Sequence, residues 1–319
     1  MHITAASTIS CQPTFRNKGF SGTLSELKRP SELVAPDYSA FIPVMERRRM
    51  SEILKMAITC AIDCLEQAGI TQPEAIIVGT SLGCSHNTKH FLDNIIAANG
   101  GLISPTPFIL STHNSIAGQI SIRLKNHRYN MTHTQNSLSF EQALIDGMLC
   151  LNDGSKNILV GAADELENDL YNMTARLETM DINFVCGASF FTISAENTTA
   201  QSINLVDVGS FGLVPSIADS IADFLQSNTQ TAADIDLVLY AHSHPKTVQV
   251  LEAIFDSRKL FDYQIISGTY FTNSAFAMHY SIDVLQQENH PLFGQKINKV
   301  LICNNLIPEN LGLILLERA

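Results

Sequence analysis

The chain has 319 residues, of which 45% are hydrophobic and 16% are charged. This balance is typical of a globular protein with a large buried core and excludes a globally disordered chain. The formal net charge of −11 disfavours a basic face for nucleic acid, and no apolar run reaches the roughly 18 residues of a membrane-spanning helix. We therefore expect no nucleic-acid partner and no membrane span.

The first half of the chain alternates strands with helices. From Met50 to Ala68, apolar residues recur at i, i+3, i+4 and i+7, which predicts a long helix that Ser51 caps and Gly69 ends. The other predicted elements, in chain order, are a strand at 2–10, a proline-rich irregular stretch at 11–46, a strand at 74–80, helices at 86–98 and 113–125, a strand at 129–134, a helix at 139–152, and strands at 156–162 and 184–195.

The second half repeats this rhythm without repeating the sequence. Its predicted elements are a strand at 202–211, a helix at 214–227, a strand at 236–241, a helix at 246–255, a strand at 264–267, a helix at 273–287, and strands at 298–304 and 311–317. Such alternation favours an α/β protein with a mostly parallel, buried sheet. With the break near 196–201, we predict two similar halves, residues 1–196 and 197–319.

Seven cysteines are scattered along the chain, and none belongs to a CxxC pair. An odd, unpatterned set favours reduced core thiols over a disulfide framework or a zinc site. The opening residues, MHITAASTISCQPTF, lack the basic start and the apolar stretch of a secretory signal. The sequence therefore predicts a cytoplasmic protein.

No cofactor pattern is recognisable. The glycines of GTSLGCS (79–85) fit neither phosphate-binding fingerprint, so no nucleotide cofactor is predicted. His242 and His244 are two residues apart, but no third ligand is identifiable and no metal site is predicted. His242 directly follows the apolar segment DLVLYA, and open α/β sheets place their sites at the carboxyl ends of such strands. The alternative for His242 is an ordinary polar loop residue.

Two further polar residues lie where a strand gives way to a helix. Ser137, within QNSLSFEQAL, has the strand-to-helix setting of a nucleophile. The glycines of a GxSxG elbow are absent, however, and a helix cap formed by Ser137 or Ser139 is the simpler interpretation. Asn273 begins a helix rich in small residues, where capping is again the alternative.

Several segments, in the same order along the chain, resemble β-ketoacyl synthases, the condensing enzymes of fatty-acid and polyketide assembly. They are RRMSEILKMAITCAIDCLEQAGI (48–70), NSIAGQISIRL (114–124), SKNILVGAADEL (155–166) and ADIDLVLYAHSHP (233–245). The resemblance implies a thiolase-like fold of two βαβαβαββ halves in five α-β-α-β-α layers. It also implies a dimer and an acyl carrier protein that delivers acyl or malonyl thioesters.

The resemblance assigns three catalytic positions to this chain. The nucleophilic cysteine falls at Ser137, although a shift of one or two residues would bring in Gln135, Asn136 or Ser139. The other two positions are His242, which matches the first catalytic histidine, and Asn273, which resembles the asparagine of the branch with a His–Asn pair.

The sequence departs from the family pattern where the chemistry is carried. A serine hydroxyl is a poorer nucleophile than a thiolate and needs an adjacent base. Gly268 stands in place of the usual lysine, and Phe140 stands where a small glycine leaves room. NNLIPENLG (304–312) replaces the glycine-rich oxyanion loop of the family, and Ile307 falls near the position of the family's gating phenylalanine. Lost oxyanion donors typically raise a barrier by ~3–4 kcal/mol.

Three hypotheses follow, and they leave open whether the chain is an enzyme. The first is a non-condensing, chain-length-factor-like subunit, as in aryl-polyene or flexirubin-type pathways, paired with a ketosynthase or with itself through strand 129–134. The second is a working acyltransferase, decarboxylase or ketosynthase that uses Ser137, His242 and Asn273 on acyl thioesters. The third is a binding or structural protein that only retains the fold.

Overall fold

The computed structural model describes residues 1–165, 183–197, 203–242 and 244–319. Its strands are β1 (His2–Ile9), β2 (Ala75–Gly79), β3 (Tyr129–His133), β4 (Asn157–Asp164), β5 (Gly187–Ser194), β6 (Ile203–Gly212), β7 (Leu237–His242), β8 (Leu260–Asp262), β9 (Lys299–Asn305) and β10 (Asn310–Arg318). Its α-helices are α1 (Val44–Arg47), α2 (Glu52–Ala68), α3 (Ser85–Ala98), α4 (Thr106–Ile109), α5 (Ser115–Leu124), α6 (Ser139–Asn152), α7 (Ile217–Ser227), α8 (Pro245–Ile254), α9 (Gln264–Ser267) and α10 (Ser274–Leu285). Within these ranges no helix is long and apolar enough to span a membrane.

The strands hydrogen-bond in the order β3-β2-β4-β5-β1-β6-β10-β9-β7-β8. The five strands of each half can be numbered along the chain. Read from the outer edge of the sheet to its centre, each half then has the order third, second, fourth, fifth, first. The orientations match as well: the second strand is parallel to the third and fourth, and the fifth is antiparallel to the fourth and first. The halves join where His2 and Ile3 of β1 pair with β6. The predicted duplication is confirmed.

The helices form three layers around the strands. α2 and α5 pack on the outer face of the first five strands, and α7 and α8 pack on the outer face of the last five. α6 and α10 lie between the two sets, and each contacts strands of both. α10 is buried on nearly every side, as expected of a helix that is apolar all round. This is the five-layered arrangement that the resemblance implies.

The predicted boundary between the halves remains a prediction. Residues 198–201 of the break near 196–201 lie outside the described residues. The two outer apolar clusters each belong to one half, whereas the central cluster contains residues of both.

The prediction of a strand at 264–267 is wrong. Residues Gln264–Ser267 form the helical turn α9, and the strand is Leu260–Asp262, which pairs in parallel with Val238–Tyr240. Asp262 accepts a hydrogen bond from the Gln264 N–H (2.9 Å), which begins the turn directly after the strand. Both segments contain two adjacent apolar residues, so hydrophobicity alone does not distinguish them.

The predicted capping of α2 by Ser51 is also wrong, although Gly69 ends the helix in a left-handed conformation as expected (φ 67). The Ser51 side chain makes no cap hydrogen bond. Glu165, which directly follows β4, instead accepts the N–H groups of Ile53 in α2 and His86 in α3. One carboxylate therefore satisfies free amides at two helix starts.

Candidate functional site

The turn between β3 and α6 brings Ser137 to the centre of the molecule. Asn136 adopts a positive φ of 52, and the Ser139 hydroxyl ties the turn by accepting from the Gln135 N–H (2.8 Å) and donating to the Asn136 carbonyl (2.7 Å). Neither Ser137 nor Ser139 caps α6 through its side chain. The capping interpretation is therefore wrong for both serines.

Gly79, at the end of β2, makes room for this turn. A Cβ at Gly79 would overlap the Ser139 carbonyl and lie 2.8 Å from the Phe140 nitrogen. Phe140 itself is fully buried, with its ring 5.6 Å from that of Phe191 in the central core.

Ser137 is fully buried, and both of its oxygens accept hydrogen bonds from asparagines. Its hydroxyl oxygen accepts from Asn310 Nδ2 (3.2 Å), and its carbonyl accepts from Asn304 Nδ2 (2.7 Å). Both asparagines belong to the 304–312 segment. In the described part of the chain no basic side chain hydrogen-bonds Ser137, so nothing there is placed to take its proton.

A third asparagine gives the 304–312 segment its shape. Asn305 Nδ2 donates to the carbonyl of Asn310 (2.7 Å) and lies within 3.3 Å of the Ile307 and Pro308 carbonyls. Its Oδ1 accepts from the Thr247 hydroxyl of α8 (2.6 Å). The segment is thus held by side-chain amides, where the family resemblance predicts free backbone donors.

Glu141 is a buried acid that the sequence analysis missed. It is the third residue of α6 and is fully buried. Its Oε1 accepts a hydrogen bond from Asn304 Nδ2 (2.9 Å). Burial raises its pKa to about 7, against the lowering effects of Asn304 and Ser274. The signal in the sequence is an acid next to Phe140 on the apolar side of a predicted helix.

His242 lies at the carboxyl end of β7, as predicted. Its Nε2 is 3.8 Å from an Asp262 carboxylate oxygen, and its ring stacks near Tyr240, with centroids 5.8 Å apart. Its backbone N–H donates to Gln264 Oε1 (2.7 Å). Burial raises the pKa of Asp262, while the Gln264 N–H and His242 lower it. His244 accepts the Lys246 N–H and caps α8.

Asn273 is fully buried and does not cap α10 through its side chain, so the capping interpretation is wrong here too. Its Nδ2 donates to the Gly268 carbonyl (3.1 Å), and its Oδ1 accepts from the Tyr263 hydroxyl (3.3 Å). Gly268 has φ 67, and a Cβ there would lie 2.6 Å from a Val185 methyl group. A lysine at position 268 is therefore excluded by the backbone.

The loop before Asn273 is fixed by a second buried acid, Asp164, at the end of β4. One of its oxygens accepts from the Thr80 hydroxyl and from the N–H groups of Ser81 and Leu82, and the other accepts from the Thr272 hydroxyl. Burial raises the pKa of Asp164, and these donors oppose the rise.

Each of the three predicted residues is linked to the carboxyl end of one of the neighbouring strands β7, β8 and β9. In the β7–β9 ladder His242 is opposite Asn305, next to the Asn304 whose side chain binds Ser137. Asn273 is bonded to Tyr263, which follows the last residue of β8. Nevertheless, no hydrogen bond joins any two of Ser137, His242 and Asn273 within the described ranges.

Comparison with known proteins identifies the family. The model described as "Beta-ketoacyl synthase, N-terminal domain" matches residues 24–236, which is more than half of the chain. The chain belongs to the β-ketoacyl synthase family. No curated protein sequence matches it.

Solved structures show the same fold for this ketosynthase homologue. "The ishigamide ketosynthase/chain length factor" matches with a TM-score of 0.80 at 14% identity, over 99% of each chain. A ketosynthase (ApeO) in complex with its chain length factor (ApeC) from Xenorhabdus doucetiae matches with a TM-score of 0.78 at 14% identity, over 100% of this chain and 98% of that one. A β-ketoacyl synthase from Burkholderia phymatum STM815 matches with 0.76 at 14% identity, over 100% and 99%.

The structure shows the setting of two positions at which this sequence departs from the family pattern. The glycine at 268 is required by its left-handed backbone, and the 304–312 segment is bonded to Ser137 through Asn304 and Asn310. Ser137, to which the resemblance assigns the nucleophile, is thus bonded to the C-terminal strand β9 and to the first residue of β10.

Proposed function

We propose that this ketosynthase homologue is a non-condensing, chain-length-factor-like subunit that pairs with an active ketosynthase. The observation that carries the proposal is the setting of Ser137. Its hydroxyl is fully buried and bonded to the Asn310 amide, a donor that cannot take a proton. A serine without an adjacent base is a weak nucleophile, so the subunit does not form an acyl-enzyme by itself.

The other two predicted catalytic residues support the same proposal. His242 faces Asp262, and Asn273 shares its amide with Gly268 and Tyr263. Asn273 is hydrogen-bonded to these two partners. His242 lies beside Asp262 with its Nδ1 unpartnered among the described residues, and neither side chain hydrogen-bonds Ser137. The alternative, in which Ser137, His242 and Asn273 act together as an acyltransferase or decarboxylase, requires these contacts to rearrange.

The edge strand β3 is the proposed pairing surface. It hydrogen-bonds to β2 on one side, and Tyr129 and Met131 are 41% and 39% exposed. A strand edge with apolar side chains favours association with a second strand. Among the structural matches, one is a ketosynthase with its chain length factor and another is a ketosynthase with an acyl-carrier protein. We extend both kinds of partner to this chain, with a homodimer as its state when alone.

The cysteines support a cytoplasmic location for this pair. All seven are free thiols, and five of them are buried. Burial raises the thiol pKa of Cys303 to about 12, which keeps it protonated and unreactive. A reducing compartment suits such a set.

The test is co-expression with an active ketosynthase, sought among the genes that neighbour this chain's own. We expect a one-to-one complex by light scattering. After exposure to malonyl- and acyl-carrier protein, intact-mass spectrometry should find acyl groups on the ketosynthase chain and none on this one. Ser137→Ala is the matched variant and should leave both results unchanged. A particle that stays monomeric with and without the ketosynthase would refute the pairing role. An acyl adduct that Ser137→Ala abolishes would favour the acyltransferase instead.

A further inference from the structure

The carboxyl group of Glu141 lies where the two halves of the molecule meet around Ser137. Glu141 belongs to α6 of the first half, and the groups beside its carboxyl group belong to the second half. Its Oε1 shares Asn304 Nδ2 with the Ser137 carbonyl, at 2.9 and 2.7 Å respectively. A Cβ at Gly312 of β10 would lie 2.5 Å from that same oxygen, so the carboxyl group is pressed against the β10 backbone.

Two buried polar atoms beside this contact lack partners. Glu141 Oε2 and the Ser274 hydroxyl, at the first residue of α10, make no hydrogen bond within the described residues. Ser274 is nevertheless near enough to lower the pKa of Glu141. Buried polar atoms are rarely left unsatisfied. A protonated carboxyl group can donate from Oε2 to Ser274 while Oε1 still accepts from Asn304.

Among the described residues, no cation faces this carboxyl group. The described groups beside it are Ser274 of α10, Asn304 of β9, Gly312 of β10 and Tyr263, the residue between β8 and α9. Of these only Tyr263 titrates, and burial raises its pKa well above the ordinary value, so it stays neutral. No Lys or Arg pairs with Glu141 in the described part of the chain. An ionised Glu141 is therefore a fully buried charge without a counter-charge, which is costly.

We propose that Glu141 is a proton-dependent latch: its neutral carboxyl group holds the 304–312 segment against Ser137, and loss of the proton to solvent loosens that segment. In the closed state Asn304 and Asn310 cover the carbonyl and hydroxyl of Ser137. In the loosened state the carboxylate reaches water and these amides release Ser137. The latch goes beyond the pairing role, because it involves residues of this chain and needs no partner chain.

The pH range of the latch follows from the two states of Glu141. In the closed state burial raises its pKa to about 7, and in the open, solvated state the ordinary value of 4.5 applies. The closed state binds the extra proton, so the opening equilibrium increases about tenfold per pH unit between these values and levels off above pH 7. The segment is held most firmly in acid and loosened at neutral pH.

Hydrogen–deuterium exchange of the whole chain tests the latch between pH 5 and 8, with each rate divided by the intrinsic rate at that pH. Amide protection across 304–312 should fall about 40-fold from pH 5 to 7 and roughly a further twofold by pH 8. Glu141→Gln mimics the neutral form and should keep protection independent of pH. Glu165→Gln is the matched control: it alters another buried acid with a pKa of about 7, and should leave the fall across 304–312 intact.

Two outcomes would overturn the latch: protection that is independent of pH in the wild-type chain, or an equal fall in Glu141→Gln. Ser274→Ala provides a second measurement should Glu141→Gln fold poorly. Because the neutral carboxyl group donates to the Ser274 hydroxyl in the closed state, removal of that hydroxyl should weaken the closed state and lower the protection of 304–312 at pH 5. Unchanged protection at pH 5 would also count against the latch. None of these measurements involves a ketosynthase, so failure of the latch and failure of the pairing role are distinguishable.

Discussion

At the scale of single residues, two glycines decide where the site can form. Gly268 supplies the left-handed backbone before Asn273, and Gly79 allows the turn that carries Ser137 to touch the end of β2. Both act through their missing Cβ. The backbone that carries Ser137 and Asn273 is therefore positioned by these two close contacts as well as by the hydrogen bonds of the two side chains.

Gly79→Ala tests this directly. Its Cβ would overlap the Ser139 carbonyl, a backbone atom that cannot rotate away. We expect a loss of about 1–3 kcal/mol in the free energy of unfolding, as for other overpacked sites. Urea unfolding followed by circular dichroism measures it.

Gly118→Ala is the control, since Gly118 lies inside α5 with nothing within 4 Å of the added carbon. There we expect a gain of roughly 0.5–1 kcal/mol, because alanine is the better helix former. Equal effects of the two substitutions would show that Gly79 is not a packing requirement.

At the scale of whole elements, the ends of helices and strands carry most of the polar organisation. Glu165 caps α2 and α3 from outside both helices, and His242 ends β7 beside Asp262. β3 is different, because its backbone edge and its apolar side chains are both exposed. An exposed edge strand with apolar side chains favours a partner chain that covers it.

Met131→Lys places a charge in the middle of this edge strand. We expect association, with the ketosynthase or with a second copy, to weaken at least about tenfold, since an unpaired buried charge is among the costliest interface changes. Analytical ultracentrifugation over a dilution series measures the dissociation constant.

Leu213→Lys is the matched control for the edge-strand variant, because Leu213 is 85% exposed and lies outside the strands. It should leave association unchanged. The proposed interface through β3 is wrong should Met131→Lys associate as tightly as this control.

At the scale of the whole molecule, the two halves share their central layer. α6 of the first half packs on β6 and β10, and α10 of the second half packs on β1 and β5. Each half alone would expose this apolar surface to water. Although the topology is duplicated, the halves are expected to fold together.

Separate expression of residues 1–196 and 197–319 checks this expectation and the proposed boundary. We expect each fragment to be insoluble or to lack a cooperative thermal transition, and co-expression to recover a folded complex. Calorimetry and near-ultraviolet circular dichroism report the outcome. A cooperative transition in the isolated 1–196 fragment would contradict the shared core and make the halves independent domains.

The sequence by itself determined most of the helices and strands, and it placed polar residues at the ends of several of them. The apolar period of α2 and the terminal Gly69 are local signals, and His242 follows a recognisably buried strand. The family resemblance then placed Ser137 and Asn273. Such signals are readable because period and turn chemistry depend on residues close together in the chain.

Only the tertiary structure decided how these residues are used. The partners of Ser137, Asn304 and Asn310, are more than 160 residues away in the chain, and the strand that follows β7 was identified by its pairing, since two neighbouring segments were equally apolar. The burial of Glu141 results from β9 and β10 closing over α6. Long-range packing sets these contacts, and no local pattern encodes it.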